Sequence, residues 1–184
     1  MEGRWSPGIG DPTVAGWFTV LAYVGVALLA FRALRLHRNA RPSPERRLLV
    51  GLWALVLGAV VLLGINKQLD LQSWVIEMGR DLARAEGWYP RRRKRQVAFI
   101  GMVGLTAFGG LAISAVIFRP VIQKVTLPLI GLTFLLTFVV VRAASFHDVD
   151  EILKSGPIQL NWVLELGGLA VLALSALRQG RALK

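Results

Sequence analysis

Cysteine is missing altogether from this chain of 184 residues, which removes disulfides, thiolate metal sites and a cysteine nucleophile. Its absence fits either side of a membrane, so it names no compartment. Histidine is almost as scarce. His37 and His147 are the two present, and a zinc centre built on three histidines is thereby excluded. No glycine-rich phosphate cradle, zinc-protease motif or pair of histidines placed for haem on two spans occurs, so no nucleotide, zinc or haem cofactor is indicated. Acids are few, 11 against 22 Lys and Arg, for a net charge of +11. The bases sit at the ends of apolar runs rather than on one polar domain. Membrane lipids, anionic ones above all, are therefore the expected acidic partner, and nucleic acid is not.

What fills the chain instead is hydrocarbon. Hydrophobic residues make up 54% of it and the mean hydropathy is +0.55, above the roughly 45–50% apolar share of soluble domains. Residues 12–31, 48–66 and 96–118 are free of charge, residues 158–177 carry only Glu165, and a shorter run covers 125–141. About 20 apolar residues at ~1.5 Å each cross a hydrocarbon core of ~30 Å, and the backbone must bond within the segment. The runs do not alternate as barrel strands would. They predict an all-α, polytopic membrane bundle in one domain, with spans at about 12–34, 46–66, 96–118, 125–147 and 157–178. Residues 1–11 lack a basic region feeding an apolar core, so the first run reads as a retained span rather than a cleaved signal.

The long connection after the second span has its own pattern. Leu71, Trp74, Val75, Met78, Leu82 and Ala85 recur at helical spacing among charged residues, which predicts an amphipathic interfacial helix over about 70–86. Pro90 then precedes Arg91, Arg92, Arg93, Lys94 and Arg95. That run is expected to meet lipid phosphates, as a snorkelling anchor or as a specific headgroup site. Gly101, Gly104, Gly109, Gly110 and Ser114 in the third span suggest close helix packing.

Five spans sort the loops. The N-terminus and the second and fourth connections share one face, and the first and third connections share the other with the C-terminus. Three polar segments converge on the first face: Asn66, Lys67, Gln68, Asp70 and Gln72 after span two, Arg142, Ser145, His147 and Asp150 after span four, and Asn161 with Glu165 in span five. Glu165 is the most telling of them, because an ionisable group at membrane depth is costly and is usually paired or functional. An ion pair with Arg142 is the packing explanation, and a proton-carrying or catalytic carboxylate is the alternative. Asp70, His147, Asp150 and Glu165 are the possible acid, base or metal-ligating groups. The six arginines from Arg32 to Arg47 favour that second face as cytoplasmic, N-terminus out and C-terminus in, while Arg91 to Arg95 argue the other way.

Ile65 to Gln72, Arg142 to His147 with Asp150, and Asn161 to Gly168 resemble segments of small uncharacterised bacterial inner-membrane proteins. The resemblance implies a bacterial inner-membrane location and brings no activity with it. A second histidine in place of Asp148 belongs to that resemblance, so the aspartate here weakens a metal reading. Three functions follow as expectations: a noncatalytic module whose polar face binds a lipid headgroup or a partner membrane subunit, a membrane enzyme acting on a lipid-linked substrate, and a proton or ion conductor.

Overall fold

A computed structural model describes residues 13–69, 78, 92–144 and 160–182, and among them there is no strand. Five long helices run in order: α1 Val14–Asn39, α2 Pro44–Leu69, α3 Arg92–Ile117, α4 Ile122–Ala144 and α5 Leu160–Ala182, with a short 3-10 turn Arg119–Val121 between α3 and α4. Each has 23 or 26 residues, hence a length of about 35–39 Å. Four stretches, Val14–Asn39, Pro44–Leu69, Arg119–Val141 and Trp162–Gln179, are long and apolar enough to cross a membrane. They fit a multi-pass membrane protein.

The expected third span differs. Its helix starts earlier than expected and takes Arg92, Arg93, Lys94 and Arg95 into its first turn, and it is not among those four stretches, which were sought among the described residues. The expected amphipathic helix lies outside the described residues apart from Met78, which is exposed.

The helix ends follow local chemistry. Thr13 caps α1 by accepting the Gly16 N–H at 3.0 Å. Ser43 accepts the Arg46 N–H at 3.1 Å, with Pro44 in the first helical position of α2. The Arg46 guanidinium then reaches back to the His37 and Arg38 carbonyls, at 3.0 and 2.7 Å. Both carbonyls lie in the last turn of α1, where the ladder has no N–H four residues on to offer, and the His37 carbonyl also accepts the Ala40 N–H at 3.3 Å.

Buried residues recur at three and four positions along each core helix: Val26, Ala30, Ala33 and Leu34 in α1, Leu49, Leu52, Trp53, Val56 and Val60 in α2, and Leu169, Leu172 and Ala176 in α5. The outward faces are apolar too, with Phe18, Leu21, Leu28, Leu55 and Leu62 exposed. A helix apolar all round belongs in lipid or in a large core. Here α1 packs on α2 and α5, α5 on α4, and α3 on α4.

Glycine sets the closest approach. A Cβ at Gly131 of α4 would lie 2.7 Å from Leu172 Cγ and 3.1 Å from the Gly168 carbonyl oxygen, and one at Gly168 of α5 would lie 3.0 Å from Leu135 Cγ. The two helices touch backbone to backbone. By contrast, nothing lies within 4 Å of such a Cβ at Gly101, Gly109 or Gly110. The tight crossing therefore belongs to α4 and α5, not to α3 as the sequence suggested.

Candidate functional site

Glu165 is buried at 3% exposure, five residues into α5. Its carboxylate accepts a hydrogen bond from the Tyr23 hydroxyl of α1 at 3.2 Å. The Lys67 ammonium of α2 stands 3.5 Å from the other oxygen, and that lysine side chain is itself 13% exposed. One carboxylate thus joins three helices. A crevice of about 10 Å³ beside it is lined by Tyr23, Leu63, Asn66, Lys67, Phe138 and Glu165. That is room for roughly one water molecule.

Of the residues the sequence singled out, Asn66, Lys67 and Glu165 come together here. Gln68 lies on the next position of α2, half-buried. Asp70, Gln72, Ser145, His147, Asp150 and Arg91 lie outside the described residues, as do the side chains of Arg142, Asn161, Arg92, Arg93, Lys94 and Arg95. The described cationic partner of Glu165 is Lys67. The sequence closed the second span at Asn66, whereas α2 continues to Leu69 and so carries Lys67 on a helix facing α5. Tyr23 was missed. Its signal was available, since a phenol inside an apolar span needs a partner for its hydroxyl.

At the other end of the bundle a second polar group forms around Gln179 of α5. Its Oε1 lies 2.7 Å from His37 Nε2 of α1 and accepts the Trp53 indole N–H of α2 at 2.8 Å. Its Nε2 donates to the Lys124 carbonyl of α4 at 2.8 Å. Indole N–H is a donor only, so it fixes which end of the amide is oxygen, and His37 must then donate from Nε2. The Lys124 carbonyl is open for a covalent reason. Pro128 sits inside α4 and has no N–H to return to the residue four before it. Gln179 supplies the missing donor.

The two groups share a register. Tyr23 to His37, Trp53 to Lys67 and Glu165 to Gln179 are each fourteen residues apart, about 21 Å along a helix. Helices α1 and α5 therefore run parallel and in step, with α2 antiparallel between the same two layers. Helix α4 descends beside them, its Lys124 at the Gln179 end and its Phe138 at the Glu165 end. Among the described residues, the core between the layers is aliphatic except for the buried Ser175. No chain of polar groups links the two ends through it.

Among the described residues no three His, Asp or Glu side chains are close enough to hold a metal ion. Comparison with protein-family models, with curated proteins and with solved structures returned no match. Function therefore has to be argued from the polar groups themselves.

Proposed function

We propose that this chain is a noncatalytic module of the bacterial inner membrane, a small helical bundle that serves a lipid or a partner membrane subunit. The observation that carries the reading is the closure of Glu165 between Tyr23 and Lys67. A catalytic or proton-carrying carboxylate needs access for what it acts upon. This one has space for about one water. It acts as a clamp on three helices, and the aliphatic core beyond it disfavours conduction.

The reading includes five crossings. Helix α2 ends at the Glu165 layer and α4 begins at the Gln179 layer, so the chain between them returns across the bundle once. Helix α3 supplies that return, for a Cβ at Gly104 would lie 3.9 Å from Val140 near the far end of α4. Its basic opening, Arg91 to Arg95, and an amphipathic helix before it would lie at the headgroups. With five crossings the termini lie on opposite sides. The N-terminus is assigned outside and the C-terminus inside, following the arginines around the α1–α2 turn. Alkaline phosphatase fused at Lys184 should be inactive and a fluorescent reporter there should be bright. Active phosphatase at that end reverses the orientation.

The functional test is native mass measurement of the whole chain after extraction in mild detergent. Retained lipid or a stoichiometric partner subunit is expected. A bare monomer with neither would overturn the reading.

A further inference from the structure

The Gln179 end of the bundle carries a surplus of positive charge that the fold leaves unanswered. Nine cationic residues whose side chains are described belong to it, eight of them arginine, and its described carboxylate is Glu45. That acid is already engaged by Lys124 at 2.6 Å. Arg46 is held by the α1 carbonyls, and Arg35 lies 5.5 Å from the Phe31 ring centroid. The remaining six, Arg32, Arg38, Arg41, Arg47, Arg119 and Arg178, are exposed. Among the described residues none of these six side chains makes a hydrogen bond or ion pair.

We infer that this end is a docking surface for anionic phospholipid headgroups, separate from the basic run at Arg91 to Arg95. Its layout selects the occupant. The arginines come from the α1–α2 turn, the α3–α4 turn and the end of α5, so several helix ends contribute to the same membrane level. They begin where the apolar outer surface stops, beside exposed Phe31, Ile117, Ile122 and Leu177. Acyl chains against those residues bring their phosphates to the level of the guanidinium groups. Guanidinium binds phosphate through paired N–H donors, and it stays charged at any physiological pH. The scaffold beneath is braced, because Gln179 ties α1, α2 and α4 together. The inference is independent of whether Glu165 is a clamp or a reactive group.

The test uses the full chain in lipid nanodiscs holding phosphatidylglycerol and phosphatidylcholine, followed by native mass measurement of the lipid that remains bound. The natural chain should retain phosphatidylglycerol preferentially. The variant Arg38→Gln, Arg41→Gln, Arg47→Gln should lose that preference by at least roughly tenfold, since each basic residue near an anionic surface strengthens attraction several-fold. A second variant neutralising Arg92, Arg93, Lys94 and Arg95, which belong to the other basic run, should reduce the preference by less than the first does. Unchanged thermal melting would establish that the first variant is folded, as expected for exposed side chains without a partner among the described residues. The inference is overturned if the natural chain shows no preference, if the triple variant retains it, or if only the second variant loses it. Retention of an acidic polypeptide in place of lipid would also overturn it.

Discussion

Replacing Glu165 by alanine is expected to destabilise the bundle by about 3 kcal/mol, because removing one member of a buried pair takes a charged partner from the other. The change takes the carboxylate from Lys67 and the acceptor from Tyr23, loosening α5 from both α1 and α2. Glu165→Gln should cost less. The amide oxygen still accepts from Tyr23 but gives the ammonium no negative charge. Adding Lys67→Met to a Glu165→Leu background should restore part of the loss, as apolar replacement of a whole buried pair is often tolerated. Denaturation in mixed detergent micelles reads all four variants. Wild-type stability in Glu165→Ala would mean that the carboxylate is held for chemistry and not for packing.

The second large effect is expected at Gly131, where leucine should separate α4 from α5. Its Cβ alone would meet Leu172 Cγ at 2.7 Å and the Gly168 carbonyl oxygen at 3.1 Å, and Leu172 is fully buried with no free space to enter. Overpacking of a tight core costs about 1–3 kcal/mol and sometimes more. Backbone on one side and a locked side chain on the other put Gly131→Leu at the upper end. Gly110→Leu on α3 is the matched control, since nothing lies near its Cβ. The isolated chain should tolerate it. Equal melting temperatures for the two variants would contradict the α4–α5 crossing.

Much of the bundle was legible because hydrocarbon length is a one-dimensional property of the sequence. An uncharged run such as residues 48–66 announces its helix directly. The ends were less legible. Leu69 rather than Asn66 closes α2, because a lysine whose ammonium has a buried counter-charge can remain on the helix instead of marking its exit. Glu165 stood out by rule, as a lone acid in a span, yet its partner did not. Finding Lys67 beside it requires the rotation of α2 about its axis, which apolarity on every face leaves undetermined. The Gln179 group was hidden for a different reason. His37, Trp53 and Gln179 are far apart in sequence and individually unremarkable near a membrane face. Pro128 was the available sign, because a proline inside a buried helix frees a carbonyl that some donor must satisfy. The small residues of α3 misled because glycine permits close approach without requiring it.

The parallel, in-step pairing of α1 with α5 underlies both polar layers and the direction of every other helix. A chain without cysteine is well suited to testing it, since introduced thiols are the only ones present. The pairs Tyr23→Cys with Glu165→Cys, and His37→Cys with Gln179→Cys, each sacrifice one layer and leave the other intact. A short bifunctional maleimide added to membranes should join both pairs. It should fail to join the crossed pairs, Tyr23→Cys with Gln179→Cys and His37→Cys with Glu165→Cys, which are offset by about 21 Å along the helices. Linking of the crossed pairs, with the in-step pairs left unlinked, would contradict the arrangement and both layers with it.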